Sequence, residues 1–202
     1  MKNISICIGR QFGSGGHEIG KLIAEKLNIP IYDKEIINEM SKKSGISKEL
    51  LEDYDEKHTN SFLYSLSLGA YTYNTIAGVP EMPLSDKIFI IQSDTIKSLA
   101  SNGPCVFVGR CAETVLEKEH DIFSVFIHND FDNRIERVSS FQKISHDEAA
   151  SIIRKADKKR ATYHNFYSDK RWGDVASYDM CINSKIGTQK VADIIIKAVE
   201  SL

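Results

Sequence analysis

Residues 4–8 form a short apolar run rich in isoleucine, the pattern of a strand buried on both faces. Residues 9–16 break that run with four glycines. Residues 17–27 resume with Ile19, Leu22, Ile23 and Leu27 at helical spacing. Strand, glycine turn and helix are therefore expected in direct succession. Apolar runs at 29–32, 105–108, 122–127 and 178–182 predict four further strands. Helical spacing predicts helices over 34–43, 47–56, 61–77, 85–100, 112–118, 130–141, 145–163 and 190–199. Ser47 suits the N-cap of one of these, and Ser145 with Glu148 forms a capping box at the start of another. Residues 77–83 read as a Gly/Pro loop.

Strands alternating with helices imply an α/β fold: a parallel sheet covered on both faces. The second-to-third and fourth-to-fifth strand connections are longer than a simple crossover needs. Segments of that kind are commonly binding or lid elements.

The turn Gly9-Arg10-Gln11-Phe12-Gly13-Ser14-Gly15-Gly16 leads from strand to helix. Glycines let the backbone turn tightly and approach a ligand without Cβ interference. Successive N–H groups can then surround a phosphate at the positive end of the helix. The standard phosphate loop reads Gly-x4-Gly-Lys-Ser/Thr. With Gly15 as its second glycine, Arg10 stands for the first, Gly16 for the lysine and His17 for the hydroxyl residue. The lysine that meets the transferred phosphate and the hydroxyl that binds magnesium are both missing from their places. A glycine turn made for packing alone is the competing interpretation. A dinucleotide fingerprint Gly-x-Gly-x-x-Gly does not fit this spacing.

Composition narrows the classes. The chain of 202 residues, 42% hydrophobic, is long enough for one sizeable core. A formal net charge of -2 gives no global attraction to nucleic acid or anionic membranes, so anion binding must come from local clustering. Cys7, Cys105, Cys111 and Cys181 have no zinc spacing, and their surroundings suggest core thiols. The first residues show no secretory signal and no stretch approaches a membrane span, consistent with a cytoplasmic protein.

Arginines stand where phosphoryl transfer would use them, since that chemistry is positioning plus neutralisation of oxygen charge. Arg110 follows a strand on the ligand edge. Arg154, Lys158, Lys159 and Arg160 cluster on one expected helix, where Asp157 would orient Arg160 or pair with Arg154. Arg134 and Arg137 are further candidates on the preceding helix. Arg10 either replaces the missing lysine charge or pairs with an acid such as Asp33 or Glu35. Asp33 would contact an acceptor, hold magnesium through water, or cap a helix. His17 reads as a polar neighbour of a bound anion rather than a metal ligand. Phe62, Tyr64, Tyr71 and Tyr73 would stack on a base or fill packing and dimer contacts. Trp172-Gly173-Asp174 would close over a nucleotide or form a structural corner.

The segment 10–19, with Ile31-Tyr32-Asp33-Lys34-Glu35, Val108-Gly109-Arg110, Ala156-Asp157-Lys158-Lys159-Arg160-Ala161-Thr162-Tyr163, Tyr178-Asp179 and Asn183, resembles the cytidylate-kinase-like family over nearly the whole chain. The resemblance implies a P-loop nucleoside-monophosphate-kinase fold: three layers around a five-stranded parallel sheet. It also implies a helical acceptor-binding insertion at 34–101 and a mobile lid at 140–176, all within one domain spanning 1–202. It further implies ATP and Mg2+ as cofactors and a CMP-like acceptor or another phosphorylated small molecule. On that pattern Gly13, Ser14, Gly15 and Gly16 cradle donor phosphates beside Arg10, His17, Arg154 and Asp157. Arg110 and Asp33 position the acceptor, and Arg160 closes from the lid. Proper cytidylate kinases carry the loop lysine; this chain is similar to a divergent branch that lacks it. The rival expectation is therefore a nucleotide- or anion-binding module without catalysis, acting through homo-oligomerisation. No nucleic-acid or membrane partner is expected.

Overall fold

The computed structural model describes residues 4–49, 51 and 82–202. The helix expected over 61–77 and the aromatics Phe62, Tyr64, Tyr71 and Tyr73 lie outside the described residues, as does most of the helix expected over 47–56.

Among the described residues there are five strands: β1 (Ser5–Arg10), β2 (Ile31–Tyr32), β3 (Val106–Val108), β4 (Ile122–His128) and β5 (Met180–Asn183). They form one sheet in the order β2-β3-β1-β4-β5. Every pairing is parallel, with Ile8 opposite Val108 on one side and Val125 on the other. The helices are α1 (Gly16–Leu27), α2 (Glu35–Ser44), α3 (Leu84–Ala100), α4 (Ala112–Leu116), α5 (Phe131–Gln142), α6 (His146–Tyr167) and α7 (Thr188–Glu200).

The chain divides into two compact units, Lys34–Ile96 and the remainder. In the larger unit, Ile6, Ile8, Val106, Val108, Val125 and Ile127 of the central strands meet Ile19 and Ile23 of α1 and Val191 and Ile195 of α7. All are essentially inaccessible to water. Each such side chain stabilises the fold by about 1.5–3 kcal/mol relative to exposure. A satellite cluster of Val138, Ala149 and Ile153 joins α5 to α6, and Phe12 of the glycine turn packs against it. In the smaller unit, α2 buries Ile36, Ile37 and Met40.

Among the boundaries that differ from the sequence expectation, two have clear physical causes. β5 begins at Met180 rather than 178. Just before it, Asp179 accepts hydrogen bonds from the Ser124 amide at 2.8 Å and the Ser124 hydroxyl at 2.7 Å, so a side chain takes the partner a ladder would use. α6 runs on to Tyr167, past the expected end at 163, because its last turns have tertiary partners. His164 is buried against Glu113 at 2.8 Å, and Thr114 donates to Ser168 at 2.9 Å. The Ser145/Glu148 capping box forms as its spacing predicts.

Candidate functional site

In a parallel sheet the strand C-termini share one edge, where ligands bind in open α/β folds. Here that edge carries the glycine turn after β1, Asp33 after β2 and Gly109-Arg110 after β3.

The turn's backbone is set by Gly13 and Gly15, both left-handed with φ of 78° and 80°. A residue with a Cβ is disfavoured in that region. Gly15 is the N-cap of α1 and provides no side chain to cap it. The first intrahelical bond is Ile19 N to Gly15 O at 2.9 Å. The amides of 16–18 therefore sit at the positive end of the helix with no intrahelical acceptor, the arrangement that receives anions. The Ser14 hydroxyl donates to the Gln11 carbonyl at 2.9 Å and is buried, so it braces the turn from within. Gln11 in turn accepts from the Asn129 amide at 3.1 Å, which fixes the turn to the end of β4.

Behind the turn, Asp157 of α6 accepts from the Phe12 amide at 2.7 Å and from Arg134 at 2.5 Å. Arg134 is only 6% exposed and also reaches the Phe12 carbonyl at 3.3 Å. Sequence reasoning offered Arg160 or Arg154 as the partner of Asp157; the hydrogen-bonded partner is Arg134. Arg154 is exposed and lies over the Phe131 ring at 4.9 Å. It lines a groove of about 600 Å³ between α5 and α6, with Phe131, Glu136 and His146. That groove includes no residue of the glycine turn.

Arg160 comes to the turn itself. Its guanidinium donates to the Arg10 carbonyl at 3.0 Å and covers the Phe12 ring at 5.5 Å. Burial, reinforced by the Arg10 charge and then that of Arg110, lowers its pKa to about 9, against the pull of Asp157 and Asp33. A guanidinium held among other guanidiniums gains from an arriving anion. Arg10 itself pairs with Asp33 at 3.7 Å, and the other Asp33 oxygen meets His17 Nδ1 at 2.8 Å. The N-cap of α2 is Lys34 rather than Asp33, and it makes no side-chain cap bond.

Arg110 and Cys111 follow Gly109 in three successive left-handed residues, with φ of 77°, 67° and 54°. Non-glycine residues held there cost of order 1–3 kcal/mol each and cluster at functional sites. Arg137 bridges to Glu18, and Glu18 also accepts from Thr188 at 2.7 Å. The Thr188 bond, aided by Arg137, holds the Glu18 carboxyl below its ordinary range. Trp172-Gly173 forms a corner against Phe126, with ring centroids 5.1 Å apart.

The structure thus gathers Arg10, Asp33, Arg160, His17 and the 13–16 backbone, with Asp157 behind the turn on the Phe12 amide, and it places Arg154 elsewhere. Sequence reasoning passed over Phe12, which carries the Arg160 guanidinium, and Thr188, which lies beside Gly15 and holds Glu18. A lone aromatic inside a glycine-rich turn was the available signal for Phe12; Thr188 had none, because its place depends on the tertiary fold.

The family model described as the cytidylate kinase-like family matches residues 5–186. A crystal structure of an uncharacterised protein from Eubacterium ventriosum is similar at 32% identity with a TM-score of 0.73, covering 98% of this chain and 99% of that one. A shikimate kinase from Bacteroides thetaiotaomicron shares the fold at 15% identity and TM-score 0.55, covering 98% of each chain. An APS kinase from Mycobacterium tuberculosis, solved with AMPPNP and APS, does so at 14% and 0.51, also covering 98% of each. No curated protein matches the chain. Among the described residues no helix is long and apolar enough to cross a membrane.

Proposed function

The chain belongs to the cytidylate kinase-like family, and from that premise we propose that it is a cytoplasmic small-molecule kinase transferring a phosphoryl group from ATP to a nucleoside monophosphate or similar acceptor. The observation that carries this reading is the uncapped helix start behind two left-handed glycines, ringed by arginines. Donor phosphates would lie on the 13–16 backbone, whose close approach a Cβ would block. Arg110 and Asp33 would position the acceptor, and Arg160 would neutralise charge on the transferred group. Magnesium, when bound with the nucleotide, would neutralise and orient phosphate oxygens. His17 stands where the standard loop has its metal-binding hydroxyl, and Asp33 is the carboxylate that would hold magnesium through water.

His17 is oriented by Asp33 through Nδ1, leaving Nε2 as its other polar atom beside the helix start. It would contact the anion there. Arg154 lies away from the turn on this reading, while Asp157 would hold the turn backbone at Phe12 and orient Arg134. The 140–176 segment would act as the lid and 34–101 as the acceptor-binding insertion. The test is a coupled assay with ATP and a panel of nucleoside monophosphates and non-nucleotide acceptors. Turnover with one acceptor supports the reading; ATP binding with no turnover on any acceptor rejects it.

The second reading is a nucleotide- or anion-binding module without catalysis, acting as a homo-oligomer. The Ser14 hydroxyl favours it, being committed to the Gln11 carbonyl while His17 stands where the standard loop has its hydroxyl residue. A nucleotide-dependent rise in melting temperature with no phosphoryl transfer would select it.

A further inference from the structure

The standard loop carries its cation immediately after the second glycine. In this chain Gly16 holds that position, and it is not empty space. A Cβ on Gly16 would lie 2.6 Å from the Cβ and 2.9 Å from the Cγ of Arg10. The aliphatic stem of Arg10 therefore crosses the Cα of Gly16. The head goes further. A Cβ on Gly109 would lie 1.9 Å from Arg10 Nη1 and 2.7 Å from its Cζ. The guanidinium thus rests against the backbone at the end of β3, one residue before Arg110. Asp33 steadies it at 3.7 Å, and Arg160 holds the Arg10 main chain through its carbonyl.

We propose that Arg10 is the phosphate-binding cation of this loop, carried from the end of β1 across Gly16 into the place a loop lysine would fill. The two departures from the standard pattern, arginine at the first glycine and glycine at the lysine, are then a single exchange. The cation has moved to the other end of the turn, and the residue it passes over has lost its side chain. Gly109 is the second clearance, giving the guanidinium room on the ligand edge. A planar fork held this way can meet two phosphate oxygens at once, and with the amides of the helix start beside it the ligand class is a phosphoanhydride long enough to reach both. One consequence is specific: a lysine at 16 and an arginine at 10 exclude each other, so Gly16→Lys alone does not rebuild a standard loop.

The assignment rests on the kinase reading only for the nucleoside part of its ligand. The experiment is calorimetric titration of the full chain with ATP plus Mg2+ and, separately, with inorganic tripolyphosphate. The variants are Arg10→Met, Arg10→Lys, Gly16→Lys and the exchange Arg10→Gly/Gly16→Lys, each checked for folding by circular dichroism. Arg10→Met is expected to weaken both ligands by at least roughly tenfold, the loss of one charge-assisted contact, and Arg10→Lys by less. Gly16→Lys is expected to weaken binding, and the exchange to recover most of it. Folded Arg10→Met that binds like the wild type overturns the assignment, as does an exchange variant no better than Gly16→Lys. The latter comparison decides alone if Arg10→Met does not fold. Wild-type protein that binds neither ligand also overturns it. Arg10-dependent tripolyphosphate binding without turnover on any acceptor keeps the assignment and removes the kinase reading. Turnover and binding unchanged in Arg10→Met do the reverse.

Discussion

Gly109 concentrates two constraints in one residue. Its φ of 77° disfavours any Cβ, and that Cβ would also strike the Arg10 guanidinium. Gly109→Ala is expected to destabilise the protein by about 1–3 kcal/mol. Adding Arg10→Ala should return the steric share and leave the backbone share. Urea denaturation of the four proteins in the cycle separates them, and strictly additive losses would contradict the contact. Glu18 gives a prediction in pH. Its folded carboxyl titrates below its ordinary value, so the unfolded chain binds more protons as acid is added. The stabilisation is present above the ordinary glutamate range of about 4.3 and is lost as pH falls through the lowered folded value. Glu18→Gln should therefore flatten the dependence of melting temperature on pH below about 5. An unchanged slope would mean that Thr188 and Arg137 do not hold the carboxylate in solution.

At the scale of elements, α6 does more than its sequence announces. Its start was legible, because a capping box is a local pattern. Its end was not, because the last turns are held by Glu113 and Thr114 on α4, which no local spacing encodes. The same divide runs through the turn. Strand, glycines and helix could be read from periodicity, whereas the path of Arg10 depends on Gly109 at the end of another strand. The pairing of Asp157 with Arg134 joins two helices and was likewise invisible to spacing along one of them. That pairing also sets a hierarchy of damage. Asp157→Ala leaves the buried Arg134 charge without its carboxylate and the Phe12 amide without its acceptor, and should cost about 3–5 kcal/mol. Ser145→Ala removes only a helix cap and should cost about 1 kcal/mol. Chemical denaturation ranks the two, and equal losses would argue against the buried pair as the main tie between α6 and the turn.

For the whole molecule, the charge balance is nearly neutral while the ligand edge is locally positive. A phosphoanhydride should therefore bind with a salt dependence that the net charge of -2 does not predict. Raising salt from low to physiological strength should weaken tripolyphosphate binding, and saturation near a hundred times the dissociation constant should stabilise the fold by about 2.7 kcal/mol. Thermal melts across a ligand and salt grid would check both. Tripolyphosphate binding indifferent to salt would contradict a site built on local positive charge.

Asp157, Arg160 and His164 stand three and four residues apart on α6, so they share one stripe of the helix and grip the turn, the end of β1 and α4 in succession. Such a stripe acts as a gauge of length. One residue inserted between Asp157 and His164 would swing everything beyond it by about 100° around the helix axis, and the grips could no longer be made together. Descendants of this chain can lengthen or shorten α6 at its ends, but between these residues the count of amino acids is itself inherited.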